Sequence, residues 1–122
     1  MRASLLALAL FSAVAQPPSA RSVTLTLPHA LREGEIAFLS VTVGVIQKGA
    51  EIEITSVTGR PLGTISPYGI RPGNEAGTYT VPLPADVIVG RRVTVLLSLR
   101  ANGKNRAPTK KEVKRVRVGV SG

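Results

Sequence analysis

Apolar and polar residues alternate through most of this chain, and no helical period lasts ten residues. A period of two places successive side chains on opposite faces of an extended strand. Val23, Leu25 and Leu27 alternate with Ser22, Thr24 and Thr26, and Pro28 closes the run. Ile36 to Val45 is longer and more continuously apolar, as a central strand would be. Its Leu39, Val41, Val43 and Val45 share one face, with Phe38, Ser40, Thr42 and Gly44 on the other. Glu51-Ile52-Glu53-Ile54-Thr55 alternates with both glutamates outward, and Leu62 to Ser66 makes a weak strand after the turn Thr58-Gly59-Arg60-Pro61. In Thr78 to Leu83, Pro82 cannot donate to a ladder and so marks a strand end or an edge. Arg92 to Arg100 turns Val93, Val95, Leu97 and Leu99 inward. Val116, Val118 and Val120 form the last inward row, against Arg115 and Arg117 outward.

Turn formers punctuate these runs at Gly49, Gly59, Gly69, Gly73, Gly77, Gly90 and Gly103. About seven short strands rich in Val, Ile and Thr, so spaced, predict an all-β antiparallel sandwich over residues 22–122. The segment Ala76-Gly77-Thr78-Tyr79-Thr80-Val81 resembles the Gly-x-Tyr entry to a late strand of immunoglobulin-like and fibronectin-type-III-like domains. That resemblance implies an immunoglobulin-like sandwich in which the tyrosine bonds back to nearby backbone. It is a likeness of fold and brings no site with it; the Cys…Trp…Cys framework of antibody domains is absent. Tyr79 as a plain core aromatic is the competing reading. One helical turn is expected at Thr109-Lys110-Lys111-Glu112, where Thr109 caps and Glu112 returns the bond.

The first residues read as an export signal. Met1-Arg2 is a positive start, Leu5 to Phe11 an apolar core, and Ala13-Val14-Ala15 the small–x–small pattern of a cleavage site. Cleavage before Gln16 makes 1–15 a signal peptide and 16–21 a short Pro-containing linker, and sends the protein to the periplasm or outside the cell. A membrane span needs ~20 apolar residues, and Pro17-Pro18 stops this run short of that.

The chemistry available is narrow. The chain has no Cys, which excludes disulfide scaffolds, thiolate metal sites and a cysteine nucleophile. A single His and a single Asp, at His29 and Asp86, would have to build any hydrolytic triad, and no Gly-x-Ser-x-Gly elbow accompanies them. Calcium needs several converging oxygen ligands, and no Gly-rich phosphate loop is present. Glu51 with Glu53, and Glu33 with Glu35, read as solvated surface rather than acid–base pairs. No cofactor or metal is indicated, and a non-catalytic protein is expected. Tyr68 and Arg71 lie in the Pro/Gly-rich segment 67–77, the best loop candidate for recognition.

The formal charge of +9 is local. Arg21 to Gly90 holds five basic and six acidic residues, whereas Arg91 to Gly122 holds ten basic residues and one acid, Glu112. If the last two strands are neighbours in one sheet, Arg92, Arg100, Arg115 and Arg117 share a face, with Lys104, Arg106, Lys110 and Lys111 in the loop between. This face either meets an anionic partner, such as an acidic protein or an anionic envelope component, or guards a terminal edge strand. Nucleic acid fits least, because stacking aromatics are missing from the basic region. The expectation is an exported binding or accessory module. The alternative is an assembly subunit that adds a strand to a partner through Val116 to Val120. A small hydrolase is the weakest reading.

Overall fold

In a computed structural model, residues 19–66 and 77–122 are described. They contain the strands β1 (Arg21–Thr26), β2 (Ile36–Val43), β3 (Glu51–Ser56), β4 (Pro61–Ile65), β5 (Gly77–Leu83), β6 (Ile88–Val89), β7 (Arg92–Ala101), β8 (Lys104–Arg106) and β9 (Val113–Ser121). A single 3₁₀ turn at Ala85–Val87 precedes β6. The expected export signal, with Tyr68 and Arg71 of the loop candidate, lies outside the described residues.

The strands form two antiparallel sheets. One runs β1-β7-β3-β4, with the short β6 and β8 also paired to β7; the other is three-stranded, β5-β2-β9. Among the described residues seven longer strands stand where about seven were expected, and the short β6 and β8 were not anticipated. The core lies between the sheets and follows the period of two. Ala37, Leu39, Val41 and Val43 of β2 are buried, as are Ile52 and Ile54 of β3 and Val93, Val95, Leu97 and Leu99 of β7. Each of the Val, Leu and Ile side chains among them contributes ~1.5–3 kcal/mol by leaving water. Val116, Val118 and Val120 pack against this core half-buried, at the flank of the smaller sheet.

One local expectation changes. Val45 does not continue the inward row of β2 and is 60% exposed. The register between β2 and β9 shifts between Thr42 and Val43, and the ladder ends there. Gly44 then donates its N–H to the Glu112 carbonyl at 2.9 Å, which redirects the chain before Val45. Gly44 is required at that point, because a Cβ would collide with the Lys111 carbonyl oxygen.

The larger correction concerns the terminal strands. In the constant-type immunoglobulin order the first strand pairs with the second and the last with the sixth. Here β2 pairs with β5, and β7 with β3, as in that order. The first strand, β1, instead flanks β7, the last, β9, flanks β2, and β4 pairs with β3 where that order sets the fourth strand beside the fifth. β7 and β9 therefore belong to different sheets and are not neighbours. Adjacency in sequence did not decide the pairing, because β8 and the turn after it carry the chain from one sheet to the other.

Tyr79 is half-buried and packs against the core, opposite Val41. The upstream backbone to which a corner tyrosine would bond lies in 67–76, outside the described residues.

Candidate functional site

The separation of β7 from β9 divides the basic residues into groups with different surroundings. On β7, Arg92 and Arg100 stand at opposite ends, about 27 Å apart at the usual strand rise. Arg100 faces β3, where its Nη1 donates to Glu53 Oε2 at 3.3 Å. Asn105 Nδ2 donates to the other Glu53 oxygen at 3.3 Å and to Ser98 Oγ at 2.9 Å. Glu51 and Glu53 thus face outward as expected, but as partners for the larger sheet's own donors: Glu51 also accepts from Ser66 Oγ at 2.9 Å.

Arg106 lies on β8 rather than in a loop, and its charge is used internally. Nη1 and Nη2 donate to Glu112 Oε1 and Oε2 at 2.8 and 2.7 Å. The reciprocal cap expected at Thr109 and Glu112 is present. Thr109 N–H donates to Glu112 Oε1 at 2.9 Å, and Glu112 N–H to Thr109 Oγ1 at 3.3 Å. The Arg106 hydrogen bonds, with help from Thr109, hold the Glu112 carboxyl down to about 2, against the opposing effect of burial. Lys104, on β8, is exposed.

The remaining cations gather at the start of β9. Lys110 and Lys111 are exposed in the turn, and Lys114, Arg115 and Arg117 are exposed on the strand. The register shift opposite Thr42 and Val43 leaves Lys114 as an extra residue, so two cations follow each other there. Lys114 was counted in the basic quarter but not picked out. A bulge was its only mark, and a bulge depends on a partner strand that sequence alone does not name.

The outward face of the smaller sheet reads as rows across β9, β2 and β5. Arg115 lies beside Thr42, and Thr42 beside Thr78; Arg117 lies beside Ser40, and Ser40 beside Thr80. Thr42 Oγ1 and Thr78 Oγ1 are 3.1 Å apart and hydrogen-bonded. Next comes Gly119, Phe38 and Pro82. The tip of the Phe38 ring lies over Gly119, where a Cβ would come within 2.6 Å of Cζ. None of the three strands contains an Asp or Glu. The period of two already sets Phe38 on this face with Ser40 and Thr42, whereas its position over Gly119 depends on cross-strand register.

The other candidates do not assemble. Asp86 accepts two bonds from Arg60 Nη1, both 2.8 Å. His29 Nδ1 sits 2.9 Å from the Ala30 carbonyl oxygen and 3.7 Å from Glu35 Oε1. Asp86, Arg60 and Arg92 line an open depression of about 370 Å³ with Val57 and Val89, and His29 is not part of it. Glu35 also accepts the Arg32 N–H at 2.7 Å, closing the turn with Glu33 and Gly34. Among the described residues no group of His, Asp and Glu is placed to hold a metal ion, and no helix is long and apolar enough to cross a membrane.

Compared with known families, with curated proteins and with solved structures, the chain matches none.

Proposed function

We propose that this chain is an exported, non-catalytic binding module that holds an anionic partner on the outward face of its three-stranded sheet. One observation carries the reading: β9 presents Arg115 and Arg117 on the outward face of a sheet with no acidic residue on any of its three strands, β2, β5 and β9. Three cations elsewhere in the fold are paired with carboxylates, Arg60 with Asp86, Arg100 with Glu53 and Arg106 with Glu112. Cations left together on one face repel each other, and an anionic partner offsets that cost. The partner site is accordingly narrower than the whole basic quarter and centres on Arg115 and Arg117, with Lys110 and Lys111 beside them in sequence. The fold reads as an immunoglobulin-like variant with its first, fourth and last strands on new neighbours, and the start of the chain as a signal for export to the periplasm or beyond.

The test is retention of the protein on a sulfated matrix as salt is raised. Reversal of Arg115 and Arg117 to Glu lowers the elution salt markedly, whereas reversal of Arg100, already paired with Glu53, lowers it less. Equal effects from the two faces would overturn the assignment.

A second reading has its own support. β9 pairs with β2 and, among the described residues, with no strand on its other side. A partner strand could join that edge and cover the half-buried Val116, Val118 and Val120. Self-association or peptide capture that a proline at Val118 abolishes, in a protein that stays folded, would favour this assembly role.

A further inference from the structure

Resting on that reading, we propose that the occupant of this face is an acidic polysaccharide. The rows supply three kinds of contact in a fixed order. Phe38, laid over Gly119 and flanked by Pro82, makes a low apolar patch suited to the C–H face of a sugar ring. Ser40, Thr42, Thr78 and Thr80 form the next two rows, hydroxyls that can both donate and accept. Thr42 and Thr78 spend one bond on each other and keep further acceptor capacity. Arg117 and Arg115 end those rows, with guanidinium forks matched to carboxylate or sulfate oxygens.

The dimensions agree. Three strands spaced ~4.8 Å apart make each row about 10 Å wide, and Arg115 and Arg117 are about 7 Å apart along β9. A polymer that carries hydroxyls, apolar ring faces and repeated acidic groups meets all three kinds of contact together. An acidic peptide would use the arginines and leave the ring without a role. A nucleic acid stacks successive bases on several aromatic side chains, whereas this face offers one ring, Phe38, the Tyr79 ring of β5 being turned to the core.

The experiment is a titration of the isotope-labelled protein, followed by NMR, with a galacturonic acid oligomer. The comparison ligands are a neutral malto-oligosaccharide of equal length, and a glutamate oligomer and a single-stranded oligothymidylate of equal charge. The expected result is saturable binding of the galacturonate oligomer, with shifts at Phe38, Ser40, Thr80 and Arg117. The neutral sugar and the glutamate oligomer bind at least about tenfold more weakly. Phe38→Leu keeps an apolar cover but removes the flat ring, and weakens binding about fivefold. Ser40→Ala, a small change on the same rows, also weakens it, and unchanged signals from β1 and β3 verify that each variant is folded.

Equal or tighter binding of the glutamate oligomer or the oligothymidylate at these residues would overturn the inference, as would an unchanged affinity in both Phe38→Leu and Ser40→Ala. If Arg115→Ser with Arg117→Ser leaves the binding of every polyanion intact, the parent reading fails as well. If that pair matters and the sugar contacts do not, only the polysaccharide assignment falls.

Discussion

Arg106 holds both carboxylate oxygens of Glu112, at 2.8 and 2.7 Å, across the turn that carries the chain from one sheet to the other. The same carboxylate caps the turn at Thr109, and the Glu112 carbonyl accepts the Gly44 N–H. One acidic residue in the basic quarter thus ties β8, the turn and the end of β2 together.

Glu112 therefore gives stability a defined pH dependence. Its folded carboxyl titrates near about 2, against an ordinary 4.5. A depressed folded pKa contributes stability that is complete above the ordinary value and is lost as pH falls through the folded one. We expect Glu112→Gln to cost about 1 kcal/mol near neutral pH, because the pair is partly screened by water. The gap between variant and parent should close as pH drops toward about 2. Urea unfolding at several pH values measures it, and a gap constant across that window contradicts the assignment.

Gly44 and Gly119 both sit where a Cβ would collide, but with different neighbours. At Gly44 the obstacle is the Lys111 backbone carbonyl; at Gly119 it is the tip of a side chain, Phe38. Backbone cannot step aside cheaply, so Gly44→Ala costs about 2–3 kcal/mol. Gly119→Ala costs less than about 1 kcal/mol while pushing the ring off the sheet. Thermal unfolding ranks the two, and the reverse order would be a failure.

Val43 and Val45 separate burial from pattern. Val43 is fully buried, and Val45 lies beyond the end of the ladder, in water. Val43→Ala lowers stability by roughly 2 kcal/mol, and Val45→Ala changes it by less than about 0.5 kcal/mol. Similar midpoints for the two variants would restore Val45 to the core.

The cationic sheet should respond to salt. Repulsion between Arg115 and Arg117 and the neighbouring cations is felt at low ionic strength, where charges act across ~30 Å, and weakens when the screening length falls to ~8 Å. The urea midpoint accordingly rises as salt increases from about 0.01 to about 0.15 M, and the rise shrinks in Arg117→Thr. A midpoint that falls with salt would mean that the ion pairs of the larger sheet dominate instead.

What could be read in the sequence was what depends on near neighbours. Thr109 and Glu112 are three residues apart, and their reciprocal cap was visible in the letters. The inward rows of β2 and β7 were visible too, because side-chain period is a local property. The pairing of β9 with β2 was not, since it rests on contacts far along the chain, and the shared face of Arg100 and Arg117 was lost with it. Val45 was misread for a related reason: the bond that ends its strand comes from Glu112, almost seventy residues away. The candidate face needed both registers of β2 at once, with β5 and with β9. Arg115 and Arg117 could be picked out by charge, whereas Phe38 could not be placed against Gly119 until β2 and β9 were aligned.

The places of β1 and β9 in separate sheets also determine how the fold would bear a mechanical load. Arg21, at the start of β1, reaches the Val113 carbonyl at the start of β9, so both strands begin at the same end of the sandwich. At the other end, Gly122 closes against Glu35, just before β2. Tension between Arg21 and Ser121 therefore runs along the strands and in opposite senses on β1 and β9. The β1–β7 and β2–β9 ladders are loaded in shear, and their hydrogen bonds resist together instead of opening one after another like a zip.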